Sequence, residues 1–522
     1  MATGTVDSVR PTVRDERRGA IGAAAPPDAT ARIAAAVGPL FRWFAFGSFV
    51  YLGLTVLLGF ALLDDGFQRF AERTQFVTTH WNLGFQGWLV QLVAGALLFV
   101  ASALVGRSVD VRLGRLQFWL MNAGIAAVGV GLVMTALREG GLGHDVMGEA
   151  PGRQVLTGLS EWGVTDYVWL LQLGYLALGA SFVLMVVNLR RTFHADAETR
   201  RRSGLPGLYY EAASLFFVVA AAGWLAWTIE PVRTWLVSLP FLASGSGYQA
   251  VHHALFIHLP VWAVAAFAIG AGYQAVPALT GRDTITLTRG RELMFWLTIA
   301  GIIGTLWHPK VTSGPPIYMA AVVILLFVAL FDVVEFAGTW FHGALRRLTR
   351  PEYSLARNYL AIGIVGVGIA AVLGVIMTFD PVNSRIFPET EDGSQGSWLS
   401  ALHGMQGMLT GLTPLLMGVA YLVAHWALGA RLQAARAANL ILVGIVAGSY
   451  GFLFAVYQAV GAGWMTMESM TMDRGTADAW MTLARLLALV VIVSIFGFFI
   501  HFGRIVRSRE ERAPAAALQP VG

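Results

Sequence analysis

Residues 81–106 read WNLGFQGWLVQLVAGALLFVASALVG and hold no charged side chain. An α-helix rises 1.5 Å per residue, so about 20 such residues cross a hydrocarbon core of about 30 Å. Runs of this kind recur down the 522-residue chain, near 39–63, 81–106, 114–137, 165–189, 208–229, 249–277, 292–309, 315–344, 356–379, 399–427, 437–461 and 477–503. Of all residues, 56% are hydrophobic and only 13% are charged, against roughly 25% charged in soluble domains. The expected fold is all-α: a polytopic integral membrane protein of twelve transmembrane helices. Residues 1–38, rich in Ala, Pro and Arg, read as a disordered cytoplasmic tail, 39–504 as the membrane domain and 505–522 as a second cytoplasmic tail.

The connections alternate in charge. One set carries Arg107, Arg112 and Arg115, then Arg190, Arg191 and Arg200–Arg202, then Arg282, Arg289 and Arg291, then Arg346, Arg347, Arg350 and Arg357, then Arg431 and Arg436. The other carries Asp64, Asp65 and Glu72, then Glu139, Asp145, Glu149 and Glu161, then Glu389, Glu391 and Asp392, then Asp473 and Asp478. The positive-inside rule puts the arginine set in the cytoplasm, and twelve spans then thread with both termini inside. The basic balance is therefore a matter of topology and implies no nucleic acid. There is no cysteine, which excludes disulfides, thiolate metal sites, iron–sulfur clusters and covalently attached c-type haem.

Once the spans are oriented, His80, His252, His253, His258, His308 and His403 share one depth band near the outer face, contributed by four helices. His144 falls in an outer connection, and His194, His342, His425 and His501 fall on the cytoplasmic side. Polar groups at membrane depth are costly and usually face a protein interior. A neutral imidazole there is a good ligand for haem iron or another metal. The alternative for any one of them, most of all His252 and His253 nearest the interface, is a hydrogen bond to a carbonyl. Residues i and i+2 of a helix point about 200° apart. A helix lying between two haems could thus ligate one through His403 and the other through Met405, and a thioether ligand raises the reduction potential relative to bis-His. Met405 has a packing alternative, reinforced by its neighbours Met408 and Met417.

These residues resemble the catalytic subunit of the haem–copper oxidase superfamily (the subunit I type), nearest the bacterial nitric oxide reductases, most strongly over 248–427. Gly301-Ile302-Ile303-Gly304-Thr305-Leu306-Trp307-His308 is similar to the family's GIIGT-x-H-H. Asp380-Pro381-Val382-Asn383, with Leu399-Ser400-Ala401-Leu402-His403-Gly404, is similar to its PVN loop and H-x-H helix. His258-Leu259 and His80-Trp81-Asn82-Leu83 resemble its helix-six and helix-two ligand motifs. The resemblance implies that His80 ligates a low-spin haem b and His403 a high-spin haem b. It implies that His258 and His308 bind a non-haem iron or copper facing the second haem, and that Glu161 binds calcium between haem propionates. It also implies a bacterial-type cytoplasmic membrane. Electrons would come from a small cytochrome c or cupredoxin-type subunit, or from quinol, because the chain carries no c-type haem of its own.

The departures are specific. The family's adjacent histidine pair is Trp307-His308 here, the second histidine of H-x-H is Met405, and its helix-six glutamates fall at Trp262 and Ala266. Two histidines make a poor iron or copper site. Either His252 or His253 fills in, or the metal binds weakly, or there is none. His253 and His258 are five apart, off one face in a regular helix, so only local unwinding near Pro260 would bring them together. Oxygen-reducing members place a tyrosine four residues after the first helix-six ligand. Trp262 stands there, so reduction of nitric oxide to nitrous oxide ranks above oxygen reduction. A non-catalytic haem-b electron-transfer or gas-binding subunit is the other alternative. Asp332 and Glu335 are also spaced for a transporter's proton path or for a structural pair.

Overall fold

The structure, a computed structural model, describes residues 27–63, 79–141, 165–238, 254–280, 287–305, 354–378, 404–428, 432, 436–461 and 474–507. Every regular element among them is helical. We label α1 Pro27–Ala61, α2 Gln91–Val105, α3 Val111–Gly141, α4 Thr165–Phe193, α5 Ala197–Trp227, the short α6 Glu230–Ser238, α7 Leu259–Thr280, α8 Arg289–Thr305, α9 Ser354–Thr378, α10 Thr413–Leu428, α11 Arg436–Gly461 and α12 Arg474–Arg507. Among the described residues, eight helices are long and apolar enough to cross a membrane, and shorter apolar helices cover Leu259–Gln274 and Ser354–Ala370. The expected span at 315–344, with Asp332 and Glu335, lies outside the described residues.

The helices follow the apolar runs closely, apart from two early starts: α5 begins at Ala197, ahead of the expected residue 208, and α1 begins at Pro27, ahead of the expected residue 39. Proline suits the first helical position, where its missing N–H is no loss, and the alanine-rich stretch that follows has high helix propensity. Ile33 and Val37 are buried there, so tertiary packing holds a turn that apolarity alone does not mark.

Glycines set how closely the central helices approach. A Cβ at Gly84 would meet Thr55 of α1 at 2.8 Å, and one at Gly95 would collide with Phe44. On the other side of the bundle a Cβ at Gly366 of α9 would strike the Thr410 carbonyl, and one at Gly411 would lie 2.8 Å from the Val367 nitrogen. Small residues at crossings let backbones touch where lipid supplies no hydrophobic drive between helices.

Three π-helical segments occur among the described residues: Leu83–Val90, leading into α2; Ala254–His258, leading into α7; and Gly407–Leu412, leading into α10. Such segments are rare and are frequent at functional sites. Each lies within four residues in sequence of a histidine expected to be a ligand: His80, His258 and His403, the last outside the described residues. α5 is bent differently. Gly204 has φ 48°, and Pro206 follows it, so the arginine-rich turn at 197–203 is set at an angle to the rest of α5.

Candidate functional site

The site grows from the contact between α1 and the helical turn that begins at Thr79. Nδ1 of His80 lies 2.9 Å from the Thr55 carbonyl oxygen. A carbonyl only accepts, so Nδ1 carries the proton and Nε2 presents its lone pair. This is how a ligating histidine is usually oriented: the far nitrogen is fixed so that the near one can bind. The approach depends on Gly59, four residues after Thr55. A Cβ at Gly59 would lie 2.5 Å from Cε1 of His80, where the imidazole now passes. The Thr55 hydroxyl donates to the Tyr51 carbonyl at 2.8 Å, which holds this turn of α1.

The second element is the segment Ala254–His258. Pro260 has no N–H, so the Phe256 carbonyl loses its i+4 donor and the Leu255 carbonyl its i+5 donor. Two indoles from other helices replace them. Trp224 Nε1 of α5 donates to the Leu255 carbonyl at 2.9 Å, and Trp81 Nε1 donates to the Phe256 carbonyl at 3.3 Å. Rings of Tyr175, Trp224 and Trp227 surround Phe256 with centroids 6.2 to 6.3 Å away. His258 ends this segment, its Nδ1 buried. Winding departs from the regular α-helix here, with i→i+5 bonding over Ala254–His258 just ahead of Pro260. His253 itself lies outside the described residues. Trp262 packs against the main apolar core and Ala266 is fully buried in it, so apolar side chains occupy both positions where the resemblance expects carboxylates.

The third element precedes α10. Gln406 is buried, and its Nε2, with two hydrogens to give, lies within hydrogen-bond distance of the Gly366 carbonyl at 3.1 Å, the Thr410 hydroxyl at 2.8 Å and the Tyr450 hydroxyl at 3.1 Å. One amide thus ties α9, the π-helical segment Gly407–Leu412 and α11 together. Met405 packs with Leu63 of the α1 end against Phe452, Val456 and Met481 of α11 and α12. His80 meets α1 at Gly59, one turn before Leu63, so both ligand candidates reach the same end of α1. Arg485 of α12 donates to the Leu63 carbonyl at 3.0 Å, placing a cation at that helix C-terminus, where the helix dipole favours it. A Cβ at Gly404, next to Met405, would meet no heavy atom of the described residues within 4 Å.

His308, His403, His253, His252, Trp307 and Glu161 lie outside the described residues. Among the described residues no group of three or more His, Asp or Glu converges, and His258 alone represents the expected metal ligands. For haem the described residues fit, because an oriented imidazole with its second nitrogen presented is what axial ligation needs. For a second metal one imidazole decides nothing. Thr55, Gly59, Trp224 and Gln406 were not singled out from the sequence. Pro260 was the one signal pointing to the indole donors, since a proline inside an apolar helix always leaves carbonyls to be satisfied.

No family model matches the chain, and no curated protein matches it. A solved structure is similar to it: a haem–copper terminal oxidase dimer determined by cryo-EM, at a TM-score of 0.58 and 12% identity, over 93% of this chain and 85% of that one. The fold is that of a haem–copper oxidase. The expected all-α, multi-pass, oxidase-type architecture is therefore observed. At this identity the likeness carries the fold and assigns no role to any residue.

Proposed function

We propose that the chain is a haem-bearing membrane oxidoreductase of respiratory type, similar to nitric oxide reductases, that reduces nitric oxide: 2 NO + 2 H⁺ + 2 e⁻ → N₂O + H₂O. One observation supports this most: the His80 imidazole, oriented by the Thr55 carbonyl at 2.9 Å, stands at the head of a deeply buried helix in a haem–copper oxidase fold. In this reading His80 and Met405 would hold a low-spin haem b, and His403 would hold a high-spin haem b. His258 and His308, with His253 supplementing them, hold a non-haem iron or copper. The bound haems supply electron storage and a gas-binding iron. The chain's own residues do the rest. Thr55 and Gly59 fix the His80 ring, Gln406 fixes the turn that carries His403 and Met405, and Trp262 with Ala266 keeps water from the face of α7. Electrons enter from a small cytochrome c or cupredoxin-type subunit or from quinol. Glu161 is a calcium ligand, and the membrane is a bacterial cytoplasmic one with both termini inside.

The apolar residues at positions 262 and 266 also favour a second reading, a haem-b electron-transfer or gas-binding subunit without a working metal site. Oxygen reduction ranks lower, because Trp262 stands where the tyrosine of oxygen-reducing relatives is expected. Haem and metal analysis of the purified chain tests all three, with reduced-minus-oxidised and carbon monoxide difference spectra. Two haems b, one binding carbon monoxide, plus one equivalent of iron or copper and turnover of nitric oxide is the expected result. Haem without the extra metal selects the second reading, oxygen consumption without nitric oxide turnover selects the third, and no haem overturns the proposal.

A further inference from the structure

At the arginine-rich end of the bundle, α1 and α3 meet through aromatic side chains that continue to the surface. Trp43 of α1 packs on Phe118 and Trp119 of α3, with centroids 5.7 and 6.5 Å apart. Trp43 and Trp119 remain 41% and 63% exposed. The Arg115 guanidinium lies over the Trp43 ring, 5.8 Å from its centroid, and Arg112 precedes it by one turn of the same helix. Arg42 adjoins Trp43 in α1. All three arginines are exposed, and no carboxylate among the described residues lies within 4 Å of them. Asp110 is the nearest acid in sequence, and its Oδ1 is engaged by the Arg112 and Leu113 backbone N–H groups at the start of α3. One to two turns deeper along the same helices, Phe46, Val50 and Leu116 present an exposed apolar surface.

We propose that this seam is a binding site for one anionic phospholipid. Arg112 and Arg115 hold its phosphate, the exposed indoles stand at the level of its glycerol backbone, and an acyl chain lies along Phe46 and Val50. The seam is complementary to such a lipid: its cations have no carboxylate counter-ion among the described residues, interfacial tryptophans anchor at headgroup depth, and basic clefts between spanning helices bind anionic headgroups. The stack on Trp43 fixes the Arg115 guanidinium, which separates a site from a diffuse positive surface.

The test is native mass spectrometry of the purified full-length chain, delipidated and then titrated with palmitoyl-oleoyl phosphatidylglycerol or phosphatidylcholine. Phosphatidylglycerol is expected to be retained preferentially as a single adduct. Each of Arg112→Gln and Arg115→Gln should weaken retention roughly fivefold, while Arg190→Gln, the same charge change elsewhere at this end, should leave it unaltered. Trp43→Leu keeps every charge and should still weaken retention by releasing Arg115. Equal retention of the two lipids, or an equal loss in Arg190→Gln, overturns the proposal, and so does full retention in Arg112→Gln/Arg115→Gln.

Discussion

In the span Thr79–Val105, 94% of the most apolar stretch is buried inside the protein, and in Gly404–Leu428 83% is; in Ala31–Ala61 and Gly475–Arg507 the shares are 28% and 33%. The first two spans form the centre of the bundle and the last two its rim. Both central spans hold a π-helical segment and buried amides, Gln86 and Gln91 in one and Gln406 in the other. The rim spans are α-helical and turn residues such as Phe46, Leu57, Leu486 and Val493 outward. The difference has a physical cause. Lipid offers no hydrogen-bond partner, so a helix facing it must satisfy every backbone group within its own turn. A helix enclosed by protein borrows donors and acceptors from its neighbours and can depart from regular winding where a ligand must be aimed. Candidate ligands therefore belong at the centre, and lipid sites at the rim.

The sharpest test of this contrast exchanges glycine for alanine in both regions. Gly366→Ala drives a methyl into the Thr410 carbonyl. Backbone cannot yield as a side chain tip can, so more than about 3 kcal/mol of stability should be lost and the protein should fail to accumulate in the membrane. Gly53→Ala at the rim meets only the Phe496 and Phe499 rings, at the ordinary contact distances of 3.9 to 4.0 Å. It should be neutral or stabilising by up to about 1 kcal/mol, read as thermal stability in detergent.

Next come the ligand variants. His80→Ala should abolish the low-spin haem spectrum and His403→Ala the carbon monoxide-binding haem, each read from haem content. Gly59→Ala should retain haem but alter the low-spin spectrum by displacing the imidazole. If His80→Ala and His403→Ala both keep full haem, the site assignment fails.

A smaller effect separates buried from exposed indoles. Trp224→Phe leaves the Leu255 carbonyl without its donor and should cost about 1–3 kcal/mol. Trp296→Phe, at a position 57% exposed, should change stability by less than about 0.5 kcal/mol.

The positions of most spans could be read from hydropathy, since each run of about 20 apolar residues has few alternatives in a bilayer. His80 and His258 could be singled out by type and depth. The π-helical segments could not, because i→i+4 and i→i+5 bonding use the same residues, and only Pro260 marks where a donor is missing. Thr55 acts through its backbone carbonyl, which carries no side-chain signature, and Gly59 acts through what it lacks. Centre and rim are equally hidden: Leu83–Val105 and α12 are both strongly apolar, and only packing shows which of them faces lipid.

The smallest predicted effect lies outside the membrane, at the start of α5. The Thr199 backbone N–H, 2.8 Å from the Asp196 carboxylate, holds this carboxyl below the usual range, aided by the Thr199 hydroxyl and the charge of Arg107. A lowered carboxyl pKa stabilises the fold above the ordinary carboxylate range, and this contribution is lost as pH falls through the lowered value. Asp196→Ala should therefore give a slightly lower Tm at pH 7, and the gap to the unsubstituted chain should close in strong acid.

The carbonyls of Leu255 and Phe256 wait for donors that the ribosome has made well before them, Trp81 and Trp224. The turn around Pro260 cannot complete itself on entering the bilayer. It closes only against the helices that carry Trp81 and Trp224, so the seat of the His258 imidazole is a joint product of three helices and a fault in any one of them reaches it.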